Sequence, residues 1–149
     1  VASFQNNYYP IQGSALGAQA DVDTYESKAT VPGAAKTMLY RFHSVIDTTA
    51  SWQAVMYSGY NFKEAAKIYK NIFRYVNKAH FKIDDFNFGF SGDMEEPTES
   101  LRFSVSTLKA VSDNPAFEHF IAEVEITNSF VGWEVHLNLE NKKNDKDKY

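Results

Sequence analysis

Between Asn61 and His80 the chain reads NFKEAAKIYKNIFRYVNKAH, the only stretch whose apolar residues recur steadily at spacings of three and four. Phe62, Ala65, Ala66, Tyr69, Ile72, Phe73 and Val76 form one stripe along about four helical turns. Elsewhere the apolar residues mostly alternate, as strands do. One helix must therefore cover a sheet, which points to the α+β class. The pattern predicts a helix from Phe62 to Ala79. Asn61 suits its N-cap, and Glu64 three residues on completes the spacing of a reciprocal capping box. Lys78, and His80 when protonated, oppose the negative pole of the helix dipole.

Tyr25 to Val31 and Thr37 to Val45 read as strands on either side of Pro32-Gly33. Ser51 to Ser58 alternates again after a polar turn at Asp47-Thr48-Thr49, so these last two segments suit an antiparallel hairpin. From Phe81 to Phe90 the apolar residues switch parity across Asp84-Asp85, which predicts a bulge or bend within one strand. An acidic, turn-rich loop, SGDMEEPTES, precedes a strand marked by Leu101, Phe103, Val105 and Thr107. After a break at Ser112 to Pro115, Phe120, Ala122, Val124 and Ile126, then Trp133, Val135, Leu137 and Leu139, predict a hairpin with one buried and one wet face. Its turn is placed near Asn128-Ser129.

The expected fold is a curved antiparallel sheet of five to seven strands on one long helix, in the order β-β-α-β-β-β-β, with an extra strand or helical turn at the front. Residues 25–140 make its single domain. Val1 to Gln12 reads as the remnant of a short helix interrupted by Pro10, and Gly13 to Thr24 as a connecting loop, so residues 1–24 are expected to be poorly ordered. Residues 141–149 form a charged, solvated tail.

A chain of 149 residues that is 44% hydrophobic and 15% aromatic has enough packing material for one core, which excludes a disordered chain. No apolar run approaches the roughly 18 residues of a transmembrane helix. The absence of cysteine removes disulfides, thiolate zinc sites and cysteine nucleophiles. The chain opens Val1-Ala2-Ser3 without Met, as a trimmed or processed form would, and this leans the reading toward a secreted or periplasmic protein.

Three surfaces carry candidate chemistry. Lys63, Lys67, Lys70, Arg74 and Lys78 share the polar face of the helix and suit an anionic ligand or an acidic partner, although solvated helix formers are the plainer reading. A net charge of -4 and the lack of rings interleaved with those cations argue against nucleic acid. Asp93, Glu95, Glu96 and Glu99 lack the Asp-x-Asp-x-Asp-Gly pattern of a calcium loop. Glu123, Glu125, Glu134 and His136 fall on one outer face of the last hairpin, with Glu123 opposite Glu134 and His136 opposite Ile121 in the expected register. Paired carboxylates and an imidazole can divide acid and base roles.

The four histidines are dispersed, so no metal site is expected, and no nucleophile elbow, phosphate loop or dinucleotide fingerprint implies a cofactor. Trp52, Tyr57 and Tyr60, with Tyr25, Tyr40 and Trp133, suit core packing more than stacking on a sugar or peptide. The sequence thus leads to a non-enzymatic ligand- or protein-binding or assembly module of a secreted or envelope protein. The alternative is a small hydrolase or isomerase using the hairpin carboxylates and His136. Self-association through an edge strand, the first or last alternating segment, completes the expectations.

Overall fold

The computed structural model describes residues 3–4, 8–18, 22–42, 50–83 and 85–141. Its elements run β1 (Gln12–Ala18), β2 (Val22–Ser27), β3 (Lys36–Phe42), β4 (Ala50–Gly59), α1 (Phe62–Lys78), β5 (His80–Ile83), β6 (Phe86–Gly92), β7 (Phe103–Ser112), β8 (Phe120–Ser129) and β9 (Gly132–Asn141). All nine strands join one antiparallel sheet in the order β1-β2-β3-β4-β9-β8-β7-β6-β5. The class is a mostly-sheet α+β fold, with more strands than the five to seven expected.

Two meanders, β1 to β4 and β5 to β9, meet where β9 pairs with β4. That topology dictates where the helix lies. The chain leaves β4 in mid-sheet and must re-enter at β5 on the far edge, five strand spacings or about 24 Å away. A helix of 17 residues is about 25 Å long, so α1 is the crossover. It starts with Phe62 against Trp133 of β9, their ring centroids 4.9 Å apart, and ends one residue before β5.

The helix buries the face read from its spacing: Ala65, Ala66, Tyr69, Phe73 and Val76 are buried, while Phe62 and Ile72 are partly buried against the core. Under it lie Val135, Leu137 and Leu139 of β9, Ala122, Val124 and Ile126 of β8, and Phe88 and Phe90 of β6. At full burial each large apolar side chain contributes about 1.5–3 kcal/mol, so this stripe-on-sheet contact is the main stabilising term. Only half of the expected capping box forms. Asn61 Oδ1 accepts from the Glu64 N–H at 3.2 Å, but the Asn61 N–H donates to the Tyr57 hydroxyl, also at 3.2 Å, rather than to the Glu64 carboxylate.

Several local readings are corrected. Gly13 to Thr24, expected as a loop, supplies β1 and the start of β2; its small residues alternate too weakly to show a strand, and pairing with β2 and β3 supplies the order. The parity switch falls between two paired strands, not at a bulge within one: Ile83 of β5 pairs with Phe86 of β6, and Asp85 takes a left-handed backbone (φ 69°). The central bulge lies instead in β4, where Met56 is the extra residue between Val55, opposite His136, and Tyr57, opposite Val135.

The last hairpin turns at Phe130-Val131, two residues later than expected. Gly132 follows at φ 104°, and a Cβ there would lie 2.5 Å from the Gly59 carbonyl oxygen, so only glycine permits this approach of β9 to the end of β4. The new register sets Glu125 opposite His136, Thr127 opposite Glu134 and Glu123 opposite Asn138. Face assignments survive because the shift is even. The expected turn at Asp47 to Thr49 and the charged tail beyond Asn141 lie outside the described residues.

Tyr69 joins three elements. Fully buried, its hydroxyl donates to the Glu95 carbonyl at 2.9 Å and meets Ser106 Oγ of β7 at 2.5 Å, while that Oγ accepts from the Glu95 N–H at 2.9 Å. Removing the hydroxyl leaves the buried Ser106 with one partner fewer. Tyr69→Phe is expected to lower unfolding free energy by about 1–3 kcal/mol in urea titration, and to raise amide exchange at Glu95; unchanged exchange there would refute the tie.

Candidate functional site

Because α1 runs diagonally away from β4 toward β5, it leaves the far ends of β4 and β9 uncovered on the helix side. Loops fill that wedge incompletely. Tyr8, in left-handed backbone (φ 61°), is buried and its hydroxyl donates to the Leu139 carbonyl at 3.3 Å. Phe4 packs on Phe120, centroids 4.3 Å apart. The segment after β2 is held by the Lys28 N–H on the Ile11 carbonyl at 2.6 Å, and by Trp52 Nε1 donating to Ser27 Oγ at 3.0 Å.

What remains is a cleft of about 410 Å³. Trp52, Leu137, Leu139 and Phe90 floor it from the sheet, Tyr75, Val76 and Ala79 wall it from the helix, and Tyr8, Ile11 and residues 29–31 close the other side. Among the described lining residues, Ser3 and Thr30 are the ones besides the tyrosines that carry a hydroxyl. A largely apolar, partly enclosed space of this volume is the usual form of a small-molecule site.

A second groove, of about 440 Å³, is lined by Arg74, Lys78 and His80 and shares Tyr75, Ala79 and Phe81 with the apolar cleft. The two lie on either side of those shared residues. Lys63, Lys67, Lys70 and Arg74 flank a third groove of about 390 Å³ farther up the helix, where Lys70 is paired with Glu96 at 2.6 Å. Lys63, Lys67, Arg74 and Lys78 are exposed and make no ion pair among the described residues. Thus the basic stripe divides. Its upper part meets the acidic loop through Glu96, and its lower part borders the cleft.

On the sheet face opposite the helix, side chains from four adjacent strands form a polar ladder. Tyr40 of β3 donates to Gln53 Oε1 of β4 (3.1 Å), Gln53 Nε2 to Asn138 Oδ1 of β9 (2.8 Å), and Asn138 Nδ2 to Glu125 Oε1 of β8 (3.0 Å). His136 Nδ1 donates to the same Glu125 oxygen at 2.9 Å, and its Nε2 lies 3.5 Å from Glu134 Oε1. Glu123 is on this face, opposite Asn138 rather than Glu134.

Burial alone would raise the Glu125 pKa and lower that of His136. The opposing effects win. Hydrogen bonds from His136 and Asn138, with the imidazolium charge, hold Glu125 below its ordinary 4.5. The bonds and charges of Glu125 and Glu134 hold His136 above 6.5. Both ring nitrogens of His136 face carboxylates, so the imidazole is occupied as a bridge. Neither it nor Glu134 lines the clefts beside the helix.

Sequence spacing identified Glu125, Glu134, His136 and the cations, yet missed Gln53, Asn138 and Tyr40. Those three share the outward parity of their strands, but only the β4–β9 pairing makes them neighbours. It also missed the cleft, whose walls come from segments far apart in the chain. Among the described residues no cluster of three or more His, Asp or Glu is placed to hold a metal, and no helix is long and apolar enough to cross a membrane. Trp52 and Trp133 are core residues, whereas Tyr60 is 83% exposed.

The stabilisation from the raised His136 pKa is complete below pH 6.5 and lost as pH rises through the elevated folded value; that from Glu125 is present above 4.5 and lost as pH falls through its lowered value. The melting-temperature difference between wild type and His136→Gln is therefore expected to shrink between pH 6 and pH 9 (roughly the window around the His reference value). Parallel melting curves across that range would remove the bridge. Compared with known proteins, the chain matches no family model, no curated sequence and no solved structure.

Proposed function

We propose that the protein is a non-enzymatic binding module whose ligand has an apolar body and an anionic end, as a fatty acid does. The apolar cleft between the sheet and the C-terminal half of α1 carries this reading. Its size suits a medium-length alkyl chain, and burying such a chain against Trp52, Leu137 and Leu139 supplies the affinity at about 0.8 kcal/mol per methylene. Arg74 and Lys78, next to the shared wall of Tyr75, Ala79 and Phe81, supply the cations that a carboxylate end group prefers.

The hydrolase or isomerase alternative has less support. A general base needs a free nitrogen or oxygen facing a substrate, and the hairpin His136 is already held between Glu125 and Glu134. Its face is also away from the clefts beside the helix.

The chain has two tryptophans, and only Trp52 lines the cleft, so brominated laurate makes a direct probe. In Trp133→Phe protein the remaining fluorescence is expected to quench saturably. Ala29→Phe, which fills the cleft, is expected to weaken binding at least about tenfold, and Arg74→Glu with Lys78→Glu to weaken laurate about tenfold but not dodecanol. Unquenched Trp52 fluorescence at saturating probe would overturn the proposal.

A further inference from the structure

We propose that a concavity of about 780 Å³ at the β5 end of the sheet binds a phosphorylated sugar, at a site separate from the apolar cleft. β5 is one of the two sheet edges. The first and last alternating segments, expected at the edges, are β3 and β9, interior strands hydrogen-bonded on both sides.

Three strands build the floor. His80 pairs with Gly89 and Lys82 with Asn87, and Gly89 pairs in turn with Val111, so these residues share the face turned away from the buried Phe88 and Phe90. Ser91 has the same parity, and Asn77 joins the lining from the end of α1. A Cβ on Gly89 would lie 2.9 Å from His80 Nδ1 and 3.1 Å from the Ala79 carbonyl oxygen. The missing side chain is what lets the imidazole lie across β6.

The lining selects the ligand. The side chains of Asn77, His80, Lys82, Asn87 and Ser91 make no hydrogen bond or ion pair among the described residues. On the same face of β3, β4, β9 and β8 the polar side chains satisfy one another, whereas here they are left to solvent or to a ligand. No carboxylate lines the space although the chain has a net charge of -4, and Lys109, opposite Ser91, adds a further cation to the face. An anion is therefore favoured. His80 and Lys82 are about 7 Å apart along one strand, so both reach a single phosphoryl group, whose remaining terminal oxygen falls to Asn87. The imidazole donates an N–H whatever its charge, and the Asn77 amide and Ser91 hydroxyl both donate and accept, as sugar hydroxyls do. The sugar then runs along β6 over Gly89 and Val111 toward Ser91. A nucleotide fits less well, because Phe81, Phe88 and Phe90 stand on the other face of their strands and offer a base no ring to stack on.

The probe is glucose 6-phosphate, followed by the amide chemical shifts of isotope-labelled protein. It is expected to move Lys82, Gly89 and Ser91 saturably with a dissociation constant below about 1 mM, and to bind at least about tenfold more tightly than glucose or inorganic phosphate. Two substitutions at exposed strand positions separate the ends of the site. Lys82→Glu is expected to weaken glucose 6-phosphate and inorganic phosphate alike, by at least about tenfold, and Ser91→Val to weaken only the sugar phosphate, several-fold. Arg74→Glu with Lys78→Glu, directed at the anionic end of the cleft ligand, is expected to leave glucose 6-phosphate affinity unchanged, so the two sites stand or fall independently. The proposal is overturned by an absence of saturable shifts up to about 20 mM probe, by inorganic phosphate binding as tightly as the sugar phosphate, or by wild-type affinity in a natively folded Lys82→Glu protein. Loss of binding in the Arg74 and Lys78 variant would place the sugar phosphate in the helix groove and overturn it equally.

Discussion

A single crossover organises this molecule. The chain leaves β4 at the middle of the sheet and can rejoin it only at β5, so α1 must traverse the faces of β9, β8, β7 and β6 on the way. Its length matches that path, and its apolar stripe faces the strands it passes. Tyr69, midway along, is where the helix, β7 and the acidic loop are pinned by a shared set of hydrogen bonds. A polar link at full burial is stabilising only because each group in it is satisfied.

The same crossover leaves a mismatch. A helix about 10 Å wide cannot cover nine strands that span roughly 40 Å, and its diagonal course abandons the ends of β4 and β9. The front segment, through Phe4, Tyr8 and Ile11, and the residues after β2 occupy most of that wedge, and the apolar cleft is what they leave. β1 to β3 extend past the helix, which is why an uncharged strand ends up at the rim.

The opposite face is governed by different physics. Tyr40, Gln53, Asn138, Glu125 and His136 satisfy one another across four strands, so half-buried polar groups are paired rather than left to water. Glu125 accepts from both Asn138 and His136, and Glu134 stands at the other ring nitrogen. The net effect shifts the carboxylate toward its ionised form and the imidazole toward its protonated form, against the cost of burial. The ladder is well suited to fixing the register of β8, β9, β4 and β3.

Local periodicity by itself determined the helix, its cap at Asn61, its buried face and the in-out alternation of the later strands, because each depends on residues three, four or two positions apart. It also placed Glu125, Glu134 and His136 on one face. What depends on residues far apart in the chain was decided only in three dimensions. The glycine- and alanine-rich β1 has no side-chain signal strong enough to reveal a strand, and it is ordered by pairing. The turn at Phe130-Val131 is set by the close approach of Gly132 to Gly59, which moves His136 from Ile121 to Glu125. The cleft exists because a crossover helix cannot be parallel to every strand beneath it. Alternation assigns a residue to a face; only the packed sheet chooses its neighbours.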